Sequence, residues 1–175
     1  MRTVYFATNR VLTGRADQLA SYSSDVVAPS DPTSVIYGTA FVEEAGLDAD
    51  TVGAIKSIND VHGHLFGDVV LRVVSVRMKE ALRKHDLIGR VGGEEFLIIC
   101  PESSLEDTIV VAERIRKIIH REVIGDGVRE ATVTLSAGVT MQRDDDMISD
   151  RLFSRADTAL YKAKEQGRNR VVVLP

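Results

Sequence analysis

Apolar residues recur at helical spacing from Asp68 onward: Val70, Val73, Val74, Met78, Ala81 and Leu82 share one stripe, which predicts a helix to about Arg83 lying on a sheet. Two short apolar runs at strand length follow, Asp86 to Val91 and Glu95 to Ile99. Pro101 ends the second, because it brings no backbone donor. Ser104, with Asp107 three residues on, opens a second helix whose buried side is Leu105, Thr108, Ile109, Ala112, Ile115 and Ile119. Its polar side carries Arg114, Arg116 and Lys117. Strict alternation from Thr132 to Val139 predicts a strand. Leu152, Ala156, Ala159, Leu160 and Ala163 predict a helix closed by Gly167, and Val171 to Leu174 a last edge strand.

The first part of the chain is less regular. Val4 to Ala7 and Val35 to Val42 read as strands, separated by a polar stretch rich in Ser, Asp and Pro. The chain therefore divides into residues 1–55, a divergent segment packed on or completing the domain, and a core over 56–175. The order of elements predicts an α+β fold, a sheet of about five strands with helices packed on it.

Composition narrows the function classes. With 175 residues, 44% hydrophobic and 27% charged, the chain suits one soluble globular core. Lys and Arg total 22 against 26 Asp and Glu, a formal charge of −4, so no overall field gathers nucleic acid and any phosphate binding must be local. No apolar stretch reaches the roughly eighteen residues of a membrane span, so no membrane contact is expected from this segment. Cys100, the single cysteine, ends an apolar run and reads as a small buried hydrophobe, in keeping with a reducing cytoplasm.

The chemistry concentrates in Gly92-Gly93-Glu94-Glu95-Phe96, set between the apolar runs Leu87 to Val91 and Leu97 to Cys100 as a β-hairpin. Two residues without Cβ let a phosphate chain approach the backbone, and adjacent carboxylates can hold a hard cation beside it. That combination suits a nucleoside triphosphate.

Together with this hairpin, Lys56-Ser57-Ile58-Asn59-Asp60, Gly63-His64, Gly67-Asp68, the run Ala156-Asp157 through Ala159-Leu160-Tyr161, and Gly167-Arg168-Asn169 resemble GGDEF domains, the diguanylate cyclases and their inactive relatives. The resemblance covers roughly Lys56 to Val173 and implies a palm-like fold, antiparallel-rich and flanked by helices. It also implies condensation of two GTP into cyclic di-GMP and two pyrophosphates by a homodimer using Mg²⁺ or Mn²⁺. Carried onto this chain, it makes Glu94 the acid that binds metal and serves the attacking hydroxyl, Glu95 its neighbour in the metal environment, and Lys56 a stabiliser of phosphoryl charge. Asn59 and Asp68 become the guanine readers, with His64 in the same pocket and Gly92 and Gly93 beside the phosphates. Lys164 and Arg168 match the late phosphate contacts, and their spacing of four suggests one helical face. The bland alternatives are that Asp68 caps the following helix and that the basic pair is a solvated face.

One departure bears on activity. The family's metal-binding aspartate falls on Thr51, and the second acid of that motif on Gly53. A neutral hydroxyl is a poor Mg²⁺ ligand, so the metal site needs another acid. Asp48 or Asp50 supplies it if the loop holds about three extra residues, and both otherwise suit a turn; Glu43 and Glu44 are a further pair of candidates. Upstream, Leu12-Thr13-Gly14 resembles the family's opening, but Arg10, Asp17 and Gln18 stand where an aspartate, an asparagine and an arginine are expected.

Arg83 and Asp86 form an RxxD tetrad five residues ahead of Gly92, the family's spacing for an inhibitory cyclic di-GMP site, with Arg114 as its second arginine. His62, His85 and His120 have no metal-ligand spacing and read as surface or turn residues, and Asp144-Asp145-Asp146 as a solvated loop. Two functions follow from the resemblance: a cyclase restrained by its product, or a degenerate domain that binds cyclic di-GMP or GTP to regulate a partner.

Overall fold

The amphipathic helices bury most of the stripes their sequences mark, with Val73, Leu82, Leu105 and Ile109 only partly covered. The strand over 130–141 is buried on both faces from 133 to 140 and not on one, as alternation predicted. The computed structural model describes residues 36–44, 54–143 and 149–175. In chain order these form β1 (Ile36–Glu44), α1 (Ala54–His62), α2 (His64–Glu80), β2 (Leu87–Gly92), β3 (Glu95–Ile99), α3 (Leu105–Arg121), β4 (Val123–Gly125), β5 (Glu130–Met141), α4 (Ser149–Glu165) and β6 (Val171–Val173).

The strands make a six-stranded sheet in the order β2-β3-β1-β5-β4, with β6 also paired to β5. β1 sits in the middle, antiparallel to β3 from Tyr37↔Ile99 to Phe41↔Glu95 and to β5 from Ile36↔Met141 to Glu44↔Val133. β6 joins β5 in parallel, Ala137↔Val171, so α4 is the crossover that a parallel pair requires. The architecture is the expected α+β, antiparallel-rich sheet with helices on it.

Side chains from the helices and the sheet close the core: Ile58, Phe66 and Met78 from α1 and α2, Ile115 and Ile119 from α3, and Ile98 and Leu135 from the sheet are all fully buried. Each such burial stabilises the fold by about 1.5–3 kcal/mol. Cys100 is 1% exposed, a buried thiol as its apolar run suggests. At Gly138 helix and sheet meet most closely: a Cβ there would stand 2.3 Å from Ala156 O and Leu160 N, so α4 is seated directly on the β5 backbone.

The start of α3 follows the sequence signal. Ser104 is its N-cap and accepts from Asp107 N at 3.0 Å, with Glu106 and Asp107 in the first turn and His120 and Arg121 in the last, the polarity that suits the helix dipole.

Three differences have physical reasons. α2 begins at His64, a turn before Asp68, and Asp68 therefore lies inside the helix and does not cap it. α1 was not legible because a helix of this length shows only Ile55 and Ile58 as a buried pair. Among the described residues the sheet has a sixth strand, β4, which pairs only three residues with β5, too few to show alternation. The strand expected at Val4 to Ala7, the opening around Leu12 to Gln18, and Asp144 to Asp146 lie outside the described residues. Among the described residues no helix is long and apolar enough to cross a membrane.

Candidate active site

The glycine-rich hairpin is a β2–β3 turn built on a bulge. Pairing runs to Arg90↔Phe96 and resumes at Gly92↔Glu95, with a register shift between, leaving Gly93 and Glu94 as the turn. Gly93 has φ 49 and nothing within 4 Å of where a Cβ would sit, so the backbone there is open to a ligand and closed to ordinary side chains. Arg90 Nε donates to Gly93 O at 2.7 Å and braces the turn. Glu94 and Glu95 are both half-buried, one in the turn and one opening β3. β1 reaches the same end of the sheet: Phe41 pairs with Glu95, so Glu43, two residues on, is level with the turn.

A second corner forms where α1 meets α2. Gly63, at φ 83, breaks the two helices apart, and its N–H donates to Asn59 O at 2.8 Å. The Asn59 side chain then folds over Gly67, where a Cβ would lie 1.9 Å from Asn59 Oδ1. That oxygen is buried and has no hydrogen-bond partner. A buried acceptor without a donor costs free energy, and a ligand N–H is the natural remedy. Asp68 and His64, four apart on α2, are both exposed beside this oxygen's cover, Gly67. Lys56 is exposed on α1, one turn before Asn59. From across the fold, Arg129 Nη1 donates to His62 O at 2.6 Å and its guanidinium stands 5.0 Å from the Phe66 ring centroid, which ties the corner to the start of β5.

The third group lies at the end of α4. Lys164 is half-buried in its last turn, but the helix ends at Glu165, so Arg168 is not on a shared helical face as the spacing of four suggested. Instead the chain turns left-handed through Gly167 (φ 104), Arg168 (φ 60) and Asn169 (φ 44). Gly167 N donates to Lys164 O at 3.2 Å and Arg168 N to Ala163 O at 3.0 Å, a Schellman closure that carries Arg168 back over the helix end.

Charge crowds behind the hairpin. The Asp157 carboxyl is pushed up to about 6, by burial first and then by the negative charge of Glu95, with Lys164 opposing. The negative charge of Glu95 close to a half-buried Asp157 makes a corner that favours a cation. Among the described residues no three His, Cys, Asp or Glu side chains form a metal-holding group. Glu94 and Glu95 are adjacent carboxylates, fewer oxygen ligands than a hard divalent ion usually takes. Asp48, Asp50 and Thr51 lie outside the described residues, while Glu43 is at the turn by register. The two carboxylates are of the oxygen-donor type a hard divalent ion takes.

The RxxD tetrad occupies the turn between α2 and β2. Asp86 Oδ2 accepts from Arg83 N at 2.8 Å, and its side chain is 1% exposed; Oδ1 has no hydrogen bond, and His85 Nε2 stands 4.0 Å from it. Arg83 and Arg114 are exposed, and an Arg114 guanidinium nitrogen donates to Ala81 O. Burial pushes the Cys100 thiol far up, helped by Asp86 and opposed by Arg83 and Arg114, so each of the three is within electrostatic reach of Cys100.

The family model described as "Diguanylate cyclase, GGDEF domain" matches residues 52–170. Diguanylate cyclase A of Treponema denticola is 40% identical over 118 residues, covering 67% of this chain and 32% of that protein. The response regulator PleD of Caulobacter vibrioides is 38% identical over 142 residues, covering 76% and 31%. Among solved structures, the active GGEEF domain of a diguanylate cyclase from Vibrio cholerae has a TM-score of 0.66 at 30% identity, covering 81% of this chain and 83% of that one. This chain belongs to the GGDEF domain family. It spans about a third of the length of these two curated relatives, at 32% and 31%.

Several contributors escaped the sequence. Asp157 was visible only as part of the resemblance, and its raised proton affinity depends on Glu95, from a different element. Arg129, from the start of β5, carries no periodic signal for its bond to His62. His120 is exposed, as its sequence reading expects, and its Nδ1 stands 3.4 Å from the Asn169 amide nitrogen, a contact with no sequence signal.

Proposed function

We propose that this chain is a diguanylate cyclase domain that condenses two GTP into cyclic di-GMP and two pyrophosphates, one GTP held by each domain of a facing pair. The observation that carries the reading is the Asn59 oxygen, buried and unpartnered over Gly67, because guanine offers N1–H and N2–H donors where adenine would present an acceptor. Asp68, exposed beside it, accepts a second guanine N–H, and His64 flanks the base.

The triphosphate runs along the Gly92-Gly93 backbone toward Lys164 and Arg168, with Lys56 countering phosphoryl charge. Glu94 accepts the proton of the attacking ribose 3′-hydroxyl, and Glu95 completes the acidic pair. Bound Mg²⁺ or Mn²⁺ would offset charge on the α-phosphate and favour the alkoxide. The register of β1 supports Glu43 as the third acid. Residues 36–175 act as one domain in this reading, with β1 central to it, and a reducing cytoplasm suits the unpaired Cys100.

The exposed Arg83 and Arg114 form a product-binding site in which Asp86 fixes the turn by accepting from Arg83 N. A regulatory binding module is the second reading, favoured by the neutral Thr51 at the family's metal-acid position. Purified protein incubated with GTP and Mg²⁺ or Mn²⁺, followed by chromatography, separates the two. Cyclic di-GMP supports the cyclase; no product with either metal, alongside cyclic di-GMP binding that Arg83→Ala removes, establishes the module.

A further inference from the structure

The turn that carries Arg168 is costly to hold. Two successive non-glycine residues, Arg168 at φ 60 and Asn169 at φ 44, adopt the left-handed region that side chains disfavour; asparagine tolerates it and arginine does so poorly. Such a conformation persists only where the surroundings over-determine it. Here the surroundings are α3. Arg116 Nη1 donates to Asn169 Oδ1 at 2.8 Å and to Asn169 O at 3.2 Å. Glu113 in turn grips Arg116 from below, accepting from Nε at 3.1 Å and Nη2 at 3.0 Å. His120 Nδ1 stands 3.4 Å from the Asn169 amide nitrogen, so both ends of that side chain are met from one helix. The Arg116 side chain is 17% exposed, which places the clamp largely out of water, where charge-assisted bonds hold their geometry.

We propose that Arg116 is a positioning residue for the triphosphate subsite. Gripping Asn169 from α3, it fixes the left-handed turn so that Arg168 is set in place before a phosphate arrives. Preorganisation of this kind strengthens binding by removing the ordering cost from the binding step. The inference rests on the GTP reading above, and it specifies which ligand atoms feel the clamp: the phosphates and not the base.

Calorimetry with a GTP analogue whose α–β bridge cannot be cleaved, and with GMP, tests it on wild type, Arg116→Gln, Asn169→Gly and Arg168→Ala. Arg116→Gln and Asn169→Gly should each weaken the analogue about tenfold, approaching Arg168→Ala, while GMP stays within about twofold. Asn169→Gly keeps the left-handed backbone accessible and removes only the gripped side chain, so it decides the matter should Arg116→Gln fail to fold. Analogue affinity equal to wild type in these variants, or equal loss for both nucleotides, overturns the proposal. If wild type binds neither nucleotide the GTP reading itself falls, and amide exchange over 167–171 then decides the clamp: faster in Arg116→Gln upholds it, unchanged rates overturn it.

Discussion

Gly67→Ala isolates the guanine corner from the rest of the fold. The new Cβ would lie 1.9 Å from Asn59 Oδ1 and 3.0 Å from Asn59 Cγ, with no backbone atom among its three nearest neighbours. Ordinary contact distances require the amide to move by about 1 Å or more, and a side chain on α1 can do so by changing rotamer at little cost. Alanine in a helix interior is meanwhile favoured over glycine by about 1 kcal/mol, so the fold should be as stable as wild type or slightly more so. The base contact should suffer. Losing the Asn59 acceptor leaves a guanine N–H unmet in a confined site, which costs about 2 kcal/mol, or roughly 30-fold in affinity. Calorimetry with GTP and with ATP, paired with urea unfolding, reads both quantities. GTP affinity should drop toward that of ATP while the unfolding midpoint holds. Unchanged GTP affinity in a folded Gly67→Ala protein would refute the assignment of Asn59 to guanine.

Other perturbations separate the remaining parts. Gly138→Ala should destabilise by about 2–3 kcal/mol, because its Cβ would meet backbone atoms of α4 at 2.3 Å and the helix must lift; an unfolding free energy in urea within about 0.5 kcal/mol of wild type would contradict that packing. Asp157→Asn should stabilise the chelator-treated protein as pH rises. The folded chain holds the Asp157 proton more tightly than the unfolded chain, at about 6 against 3.8, so wild type loses stability across that interval and stays level above it. After allowance for solvent screening the gap at pH 7 should be about 1–2 kcal/mol, and a gap that does not change between pH 4 and 7 counts against the crowding of Asp157 with Glu95. Glu94→Ala should abolish any cyclic di-GMP synthesis while cyclic di-GMP still binds at Arg83; parallel loss of both would mean that the two sites are wrongly separated.

Elements whose signal is local were legible in the sequence. The stripes of α2, α3 and α4 repeat often enough to declare themselves, Ser104 with Asp107 marks a helix start, and the glycine pair marks the hairpin turn. α1 and β4 failed for want of length, at nine and three residues. The site was legible as a set of residue types and illegible as an arrangement. Four residues separate Lys164 from Arg168 on either a helix or a Schellman turn, and only the backbone distinguishes them. Arg116 and Asn169 are 53 positions apart, so their bond leaves no trace in periodicity. Likewise the strand at 36–44 was foreseeable from its residues, but its place between β3 and β5, with Glu43 at the hairpin, follows from pairing alone.

Crystals grown with Mn²⁺ and an uncleavable GTP analogue, measured at the manganese absorption edge, bring the metal, the base and the hairpin into one experiment. The anomalous peak should sit between the phosphates and the carboxylates of Glu94 and Glu95, with the guanine edge on Asn59 and Asp68. A nucleotide bound away from the Gly93–Glu94 turn, or held there with no manganese on either glutamate, would contradict the assignment of this hairpin as a metal-dependent GTP site.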